Sequence, residues 1–209
     1  MFTGLIEATG SVGAMESRGS ATLLRVETPL AAELSVGDSI AVDGVCLTVT
    51  KAAPATFEAT VSPETLRVTS LGHYREGTSI NLERPLKADA RLGGHFVLGH
   101  VDGLGTIRAL DRDGECYWLE VVLPVPLMAY VIPKGSIALN GISLTVAGLD
   151  RNIIRVQIVP HTWTHTSLQS ARPGDTINVE TDVIGKYVAR LLGERVAAGE
   201  WPGLEALTK

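Results

Sequence analysis

The sequence has few cysteines and no concentration of positive charge. Its 209 residues include only two cysteines, Cys46 and Cys116. They are too few and too isolated to predict a disulfide framework, so we expect a reduced, cytoplasmic protein. The 18 Lys and Arg residues are outnumbered by 23 Asp and Glu residues. Because the basic residues form no stripe able to bind phosphates, we expect no nucleic-acid partner.

Long apolar runs are also missing. No run approaches the roughly 18–20 residues that a membrane-spanning helix needs, so we expect no membrane association. The start, MFTGLIEATG, lacks the basic region and long apolar core of a secretory signal. With 45% apolar and 20% charged residues, the composition is that of an ordinary globular protein. The length leaves room for two domains of about 100 residues or for one large domain.

The sequence does contain an internal repeat. Residues 39–83 align with residues 136–180 without a gap. Within this alignment VDGVCLTV returns as LNGISLTV, with the hydroxyl of Ser143 in the place of the thiol of Cys46. A stacked solenoid needs at least three repeats. The repeat therefore predicts two similar domains in tandem.

Each half has the pattern of β structure. Segments such as SIAVDGVCLTVTKA and SIALNGISLTVAGL alternate apolar with small or polar residues, and TFEATV and IIRVQIV are rich in β-branched residues. Glycine turns separate these runs at about ten-residue intervals, which predicts a small closed barrel or a sandwich in each half. The pattern breaks at LKADARLGG, residues 86–94, where we expect the boundary between the halves.

The last part of the chain changes to a helical period. From Asp182, one helical face carries the apolar residues Ile184, Tyr187, Val188, Leu191 and Leu192. Thr181 or Asp182 is the expected N-cap. A helix of about fifteen residues is marginal alone, so its apolar face needs the barrels or another subunit as a packing partner. The closing WPGLEALTK predicts a loose tail.

The segment GGHFVLGHVDGLG, residues 93–105, carries two histidines. No GKS or GKT follows and no helix begins here, which argues against a phosphate loop. His95 and His100 are five residues apart, a spacing that sends strand side chains to opposite faces, so a metal site is disfavoured. Two interpretations stay open for these histidines: hydrogen-bonded structural residues at a barrel entrance, or direct substrate contacts.

Cys46 invites an interpretation as a nucleophile. Nothing around it in sequence predicts a nucleophile elbow or a histidine partner. From residue type alone, a packing cysteine on a strand is therefore favoured. Ser143 and the threonines of both repeats are equally plausible as strand fillers. Residue types alone predict a duplicated β protein with small polar groups at equivalent places.

The motifs together resemble one known family. Over essentially its whole length the chain resembles the α-chain type of riboflavin synthase. The matching blocks, in order, are MFTGLIE, GDSIAVDGVCLTVT, SPETLRVTSLG, INLER, LGGHFVLGHVDGLG, KGSIALNGISLTV, PHTWTHTSL and INVETDVIGKYVARLL. Each block alone is weakly specific, but their order and the preserved repeat make the resemblance specific.

The resemblance implies an all-β fold with two tandem Greek-key antiparallel β-barrels related by internal duplication, plus a C-terminal α-helix. The implied division is a lumazine-binding barrel at residues 1–97, a second at 98–182, and a trimerisation helix with a tail at 183–209. It further implies a homotrimer in which the N-terminal barrel of one subunit faces the C-terminal barrel of a neighbour. Association with lumazine synthase is left open.

The resemblance also implies a reaction. Two molecules of 6,7-dimethyl-8-ribityllumazine react, one donating a four-carbon unit to the other, to give riboflavin and 5-amino-6-(D-ribitylamino)uracil. No metal or cofactor is expected to take part. The two substrates are identical but play different roles, so a duplicated domain with a diverged pair, Cys46 and Ser143, would supply similar but unequal pockets.

Carried over position by position, the resemblance implies two groups of substrate-binding residues. The pocket of the N-terminal barrel would use Gly4, Leu5, Ile6, Cys46, Leu47, Thr48, Thr60, Val61, Ser62, Pro63, Glu64 and Thr65. The pocket of the C-terminal barrel would use Gly99, His100, Val101, Ser143, Leu144, Thr145, Val159, Pro160, His161, Thr162, Trp163 and Thr164. Lys134 matches a family lysine that reaches the ligand across the subunit boundary.

For catalysis we expect Ser143, His100 and Thr145 to act, with Cys46 as the N-terminal counterpart. His100 with Thr145 would relay a methyl proton, and Ser143 would act as a nucleophile or orient one. Asp182 is a weaker candidate, because a helix cap explains it at least as well. Phe2 is expected to pack against the ring site.

Three other interpretations carry distinct expectations. A non-catalytic lumazine protein of the same fold would be expected to lose matched polar residues in its C-terminal pocket, whereas GISLTV and PHTWT retain them. A flavin-binding barrel of an oxidoreductase would need a nicotinamide domain, and the sequence has no βαβ pattern. A purely structural trimer would leave the paired polar motifs unexplained.

Overall fold

The structure is a computed structural model that describes residues 1–197, with side chains described to residue 192. It contains two closed barrels of six antiparallel strands each. The strands of the first barrel are β1 (Ala8–Arg18), β2 (Ala21–Glu27), β3 (Ser39–Val42), β4 (Val45–Ala53), β5 (Thr56–Val61) and β6 (Ser79–Glu83). Those of the second are β7 (Gly103–Asp113), β8 (Cys116–Val122), β9 (Ser136–Leu139), β10 (Ile142–Asp150), β11 (Ile153–Ile158) and β12 (Thr176–Thr181).

Both barrels have the same strand order. In the first, β6 lies beside β3, and β3, β4 and β5 are joined as consecutive neighbours. In the second, β12 lies beside β9, and β9, β10 and β11 follow in the same way. A fourth strand that returns beside the first of three consecutive strands is the Greek-key arrangement. The predicted all-β fold of two duplicated Greek-key barrels is confirmed.

Short helices connect the strands. The α-helices are α1 (Pro63–Val68), α2 (Pro160–Thr164) and α3 (Val183–Ala197). The 3-10 helices are Pro29–Glu33, Ser70–His73, Val125–Tyr130 and Ser167–Ser170. Except for α3, these helices recur at equivalent places in the two repeats.

The alternating sequence pattern explains the two cores. In β4, side chains alternate between buried and more exposed positions from Val45 to Thr50, and β10 repeats this alternation from Ile142. The inward side chains fill a separate apolar core inside each barrel. Because the strand period is two, each polar side chain between them faces outward, where a ligand can reach it.

The barrels pack on each other through the equivalent turns between β3 and β4 and between β9 and β10. A Cβ added to Gly44 would lie 2.7 Å from the backbone nitrogen of Gly141, and the reverse is also true. Side-chain amides then tie each barrel to a backbone group of the other. These bonds are Asn81 Nδ2 to Asn140 O at 3.0 Å, Asn178 Nδ2 to Asp43 O at 2.8 Å, Ser70 N to Asn178 Oδ1 at 2.7 Å and Ser167 N to Asn81 Oδ1 at 2.7 Å.

Two segments outside the barrels also pair with each other. Phe2 donates its N–H to Val97 O at 2.7 Å, and Val97 donates to Phe2 O at 3.2 Å. Both side chains are buried in a small cluster with Ala41 and Ala138, one residue from each barrel. Because this bridge is antiparallel, the segments that follow it, residues 3–6 and 98–101, leave the seam in opposite directions.

Helix α3 follows β12 directly, and its N-cap prediction is confirmed. Asp182 Oδ1 accepts a hydrogen bond from Ile184 N at 3.0 Å. The predicted apolar face is exposed, with 39–68% of each residue accessible: Ile184, Tyr187, Val188, Leu191 and Leu192. Residues 198–209, which include the whole predicted tail, lie outside the described residues. Within the described part, no helix is both long and apolar enough to cross a membrane.

Candidate functional site

A pocket of about 190 Å³ lies where the N-terminal segment meets the second barrel. We call it the C-terminal site. Backbone and apolar groups form one side of it, and hydroxyls and imidazoles form the other. Its lining residues are Gly4, Leu5, Ile6, Ile142, Ser143, His161, Thr162, His165 and Thr166.

The N-terminal segment therefore contributes to the site of the opposite barrel. Ser143 donates its N–H to Gly4 O at 2.8 Å, and the side chain of Ile6 packs against the core of the second barrel. The predicted grouping of Gly4, Leu5 and Ile6 with the N-terminal barrel is wrong. The physical reason is the pairing of residue 2 with residue 97, which carries the segment across the seam.

The second repeat shows the reciprocal exchange. Cys46 donates its N–H to Gly99 O at 2.9 Å, and Val101 packs against the core of the first barrel. The predicted grouping of Gly99, His100 and Val101 with the C-terminal barrel is wrong for the same reason. We call the counterparts of the C-terminal site in the first repeat, Cys46, Glu64 and Thr65, together with residues 99–101, the N-terminal site.

Each exchanged segment requires a glycine at its closest approach. A Cβ on Gly4 would lie 2.6 Å from Ser143 Cβ, and a Cβ on Gly99 would lie 2.6 Å from Cys46 Cβ. Both glycines also have positive φ, +76° and +79°, which other residues adopt only at a cost. These glycines place backbone carbonyls directly against the two diverged positions of the repeat.

Two buried glutamates hold these segments. Glu83 accepts hydrogen bonds from Thr3 N at 2.7 Å, Thr3 Oγ1 at 2.8 Å and Gly4 N at 3.0 Å. Glu180 accepts hydrogen bonds from Leu98 N at 2.7 Å, Gly99 N at 3.0 Å and His100 N at 3.2 Å. Burial raises the pKa of both carboxyls, and the donated hydrogen bonds act against that rise. Sequence reasoning missed both residues, although each closes a matched block, INLE and INVE.

Ser143 has a histidine partner that the sequence reasoning did not predict. His95 Nδ1 lies 2.7 Å from Ser143 Oγ, and the histidine is 7% exposed. Burial lowers the pKa of His95, although the carboxylate of Asp182 nearby acts in the other direction. Within residues 1–197, His95 Nε2 is buried and has no hydrogen-bond partner. A neutral imidazole beside a hydroxyl is able to accept its proton, so this pair is suited to general-base chemistry.

Cys46 has different surroundings from its repeat counterpart. Its half-buried side chain packs against the apolar seam cluster that contains Phe2 and Val97. Within residues 1–197, its sulfur makes no hydrogen bond. Phe2 is fully buried beneath Cys46 and does not itself face a pocket, so it supports the site from below.

Several predicted binding residues do not present side chains to a ligand. Leu47, Val61 and Leu144 point into the barrel cores. Since their outward neighbours on the same strands are Thr48, Thr60 and Thr145, those threonines carry the available hydroxyls. The three apolar residues are able to contact a ligand only through their backbone groups.

Helix α1 borders the N-terminal site. Ser62 caps the helix by accepting from Thr65 N at 3.1 Å, and its hydroxyl lies 2.9 Å from Thr65 Oγ1. Pro63 occupies the first helical turn, where its missing N–H costs nothing. Glu64 is paired with Arg67 at 2.6 Å. The carboxylate at this border is therefore already engaged by a cation.

Helix α2 occupies the equivalent place at the C-terminal site. His161 and His165 stack with ring centroids 4.1 Å apart, and Trp163 stacks on Tyr117 of β8 at 3.7 Å. Thr164 turns away and donates to Pro160 O at 3.0 Å. His165, Thr166 and Ile142 line the pocket although they were not predicted. The i, i+4 spacing of His161 and His165 on a helix was a signal that could have found His165.

The remaining predicted residues lie apart within one chain. His100 is exposed at the N-terminal site, whereas Thr145 is exposed on the second barrel; within residues 1–197 no hydrogen bond joins them. Lys134 lies in the turn before β9 with a positive φ of 66°. At the equivalent turn of the first repeat the residue is Gly37, with φ of 95°. A lysine held in this conformation is strained, which is common at functional positions.

A larger cavity of about 570 Å³ lies on the other side of the N-terminal segment. Of the predicted site residues only Leu5 lines it. Its wall includes an ion-pair group in which Arg84 bonds Glu7 and Glu33, both at 2.6 Å. Within residues 1–197, no cluster of three or more His, Cys, Asp or Glu side chains is arranged to hold a metal ion.

Comparison with known proteins bears on the family of the chain. The family model described as "Lumazine binding domain" matches residues 3–85 and 98–182. A riboflavin synthase of Actinobacillus pleuropneumoniae is 41% identical over 94% of this chain and 92% of its own length. Riboflavin synthases of Mycobacterium bovis and Bacillus subtilis are 43% and 39% identical over 92% of this chain, and over 98% and 90% of their own lengths.

Solved structures show the same fold. LumP in complex with riboflavin superimposes with a TM-score of 0.81, at 20% identity, over 87% of this chain and 99% of LumP. LumP in complex with 6,7-dimethyl-8-(1'-D-ribityl) lumazine gives a TM-score of 0.79 at 19% identity over the same shares. The tandem domain match and the identity of about 40% over nearly the full length show that the chain belongs to the riboflavin synthase family.

Proposed function

We propose that the chain is a transferase that converts two molecules of 6,7-dimethyl-8-ribityllumazine to riboflavin and 5-amino-6-(D-ribitylamino)uracil. The observation that carries this proposal is the pair of repeat-related sites with different polar atoms. One site presents the thiol of Cys46, and the other presents the hydroxyl of Ser143 bonded to His95. Two copies of one substrate that play different roles need two such similar but unequal sites.

In the proposed mechanism, the C-terminal site handles a proton. His95 Nδ1 accepts the Ser143 hydroxyl proton, so that Ser143 Oγ is able to accept a proton from a ligand methyl group or to add to an electron-poor ring carbon. Holding the two rings face to face contributes on the order of 7–11 kcal/mol to lowering the barrier. Positioning therefore carries more of the rate enhancement than any single acid or base.

We further propose that the complete site forms between subunits of a homotrimer. The expected partners His100 and Thr145 lie at the sites of opposite barrels in one chain, so they meet only when two chains face each other. The exposed apolar face of α3 offers a surface for that assembly. We propose a cytoplasmic location, a division at residues 97/98 and 182/183, and binding of Lys134 to the neighbour's ligand. Association with lumazine synthase remains a separate hypothesis.

A non-catalytic ligand-binding function is the second candidate. It is favoured by the likeness of the fold to LumP, which binds riboflavin and the lumazine in its solved complexes. The polar groups retained at the C-terminal site, Ser143, His95 and Thr162, argue for the enzyme instead.

The test is to incubate the purified protein with 6,7-dimethyl-8-ribityllumazine alone and to measure both products. One riboflavin formed for every two lumazines consumed, with chelator present, supports the proposal. Tight fluorescent binding without riboflavin formation would support the binding protein. Neither binding nor turnover would reject both candidates.

A further inference from the structure

We propose that Glu83 and Glu180 are positioning residues that act across the seam, each holding a wall of the site that belongs to the opposite barrel. Glu83 of the first barrel would organise the C-terminal site, and Glu180 of the second would organise the N-terminal site. The inference rests on the proposed function and deepens it, because it names what shapes each substrate site.

The contacts of Glu83 begin the argument. The carboxylate is 4% exposed at the end of β6, and its two oxygens accept bonds from Thr3 N, Thr3 Oγ1 and Gly4 N at 2.7, 2.8 and 3.0 Å. Gly4 O in turn accepts the N–H of Ser143 at 2.8 Å. An unbroken series of hydrogen bonds therefore runs from β6 of the first barrel to the reactive residue of the second.

Glu180, near the end of β12, makes the equivalent contacts in the second repeat. It is 3% exposed and accepts bonds from Leu98 N, Gly99 N and His100 N at 2.7, 3.0 and 3.2 Å. Gly99 O accepts the N–H of Cys46 at 2.9 Å. The same crossed arrangement thus occurs twice in one chain, at positions that the repeat alignment makes equivalent.

A carboxylate is the side chain suited to this task. Each glutamate satisfies at least two backbone N–H groups that, within the described residues, bond to no backbone carbonyl. Glutamine would present one oxygen and one NH₂ group, so at least one buried N–H would lose its acceptor, a costly loss. The segment would then move away from the residue that it covers.

Movement of each segment has a direct reporter. Gly99 lies over Cys46, so release of the Gly99 segment exposes the Cys46 thiol. Gly4 lies over Ser143 in the same way, and Ser143→Cys in a Cys46→Ser chain places a thiol there. Cys116, in the distant β7–β8 hairpin, serves as an internal reference in both chains.

The experiment compares iodoacetamide alkylation rates, resolved by peptide mass spectrometry, for Glu83→Gln and Glu180→Gln in both backgrounds. We expect Glu180→Gln to accelerate alkylation at position 46 about fivefold, the effect of one unpaired buried N–H, without changing position 143. We expect Glu83→Gln to accelerate alkylation at position 143 and not at position 46. In each variant, riboflavin added in excess should slow alkylation only at the site whose glutamate is unchanged.

Other outcomes overturn the inference. If Glu83→Gln exposes position 46, each glutamate supports its own barrel. If both variants accelerate both positions equally, the glutamates are general stability residues. Thr3→Val, which removes one donor and keeps Glu83, replaces Glu83→Gln if that variant fails to fold, and an unchanged position 143 would then contradict the crossed role. Because alkylation needs no turnover, an absence of riboflavin synthesis by the unsubstituted protein would reject the proposed function without overturning this inference.

Discussion

At the scale of single residues, the divergence between the repeats decides the chemistry. Ser143 is bonded to the buried imidazole of His95, whereas its counterpart Cys46 is packed against apolar groups. The two strands are otherwise alike, with the same alternation of buried and exposed side chains. At these two positions the sites therefore differ both in the reactive atom and in the histidine that the segment between the barrels contributes to Ser143.

His95→Gln tests the proposed base. Glutamine keeps a polar group near Ser143 Oγ but does not accept the proton, so we expect kcat for riboflavin formation to fall about 100-fold. Because burial lowers the pKa of His95, the neutral ring persists below the usual histidine range, and kcat/KM of the wild type should decline only at acidic pH. The pH–rate profile of both proteins measures this. A limb centred above pH 7 in the wild type would contradict the assignment.

Asp43 is a second residue whose environment makes a prediction. Burial raises the pKa of Asp43 to about 7, opposed by hydrogen bonds from Tyr74 and Asn81. The folded chain therefore binds a proton that the unfolded chain releases between about pH 4 and 7. The stability contributed at Asp43 is greatest at the acidic end of this window and is lost as the pH rises through 7, by of order 1 kcal/mol per pH unit.

Asp43→Asn should remove that pH dependence. The second repeat already carries asparagine at this place. Asn140 occupies the equivalent position, and its Oδ1 accepts from Asn178 N at 2.7 Å as Asp43 Oδ1 accepts from Asn81 N at 2.8 Å. Urea unfolding at pH 5 and pH 8 gives the measurement. We expect the variant to gain stability relative to the wild type at pH 8. An equal difference at both pH values would show that Asp43 does not titrate in this range.

At the scale of elements, the equivalent turns before β3 and β9 carry different residues at a position with positive φ. The turn before β3 contains Gly37, and the turn before β9 contains Lys134, both with positive φ. An L-residue pays roughly 1–2 kcal/mol for this conformation. A lysine retained at that cost is consistent with a ligand-binding task for its ammonium group.

Lys134→Gly separates the backbone strain at this position from the proposed binding of the ligand by the ammonium group. Because glycine relieves the strain, we expect the free energy of unfolding to rise by about 1 kcal/mol, while KM for the lumazine increases as the ammonium is lost. Denaturant titration and steady-state kinetics supply the two readouts. Gly37→Lys is the matched control, expected to lower stability by a similar amount, since open space surrounds Gly37 and only backbone strain is added. A Lys134→Gly enzyme with unchanged KM would exclude the binding role.

At the scale of the whole molecule, the exposed face of α3 is unexplained by the single chain. Tyr187, Val188 and Leu191 are 49–68% exposed on a helix that contacts the rest of the described chain mainly through its first turns. A contiguous apolar face of this kind marks an interaction surface. The assembly proposed above uses it.

Leu191→Asp tests that assembly. A charge in the centre of the apolar face should dissociate the oligomer, and we expect a mass near 22.1 kDa in place of about three times that value, with riboflavin formation lost. Light scattering coupled to gel filtration measures the mass. Arg190→Asp is unsuitable as a control because Arg190 has interactions of its own, so Val36→Asp, on the exposed surface of the first barrel, is preferred. A variant that remains active as a monomer would reject sites between subunits.

Much of the fold was readable in the sequence. Alternating apolar residues, glycine turns and a gap-free repeat predict two equivalent barrels because a strand's period and its turns are local properties of the chain. The family motifs identify the threonines of β4, β5 and β10 and the residues of α2 by residue type and order. The helical period after Asp182, with its cap, was likewise local and is confirmed.

Only the tertiary structure decided which residues share a site. Phe2 pairs with Val97 at the seam, and the segments that follow them, residues 3–6 and 98–101, pass to opposite barrels, so Gly4 meets Ser143 and Gly99 meets Cys46. Glu83, His95 and Glu180 acquire their roles from the same crossing. From sequence order, a segment is expected to belong to the nearest domain along the chain. In the structure, backbone hydrogen bonds and buried carboxylates hold it against the other barrel. These interactions join residues about 50 to 140 positions apart, so no local pattern predicts them.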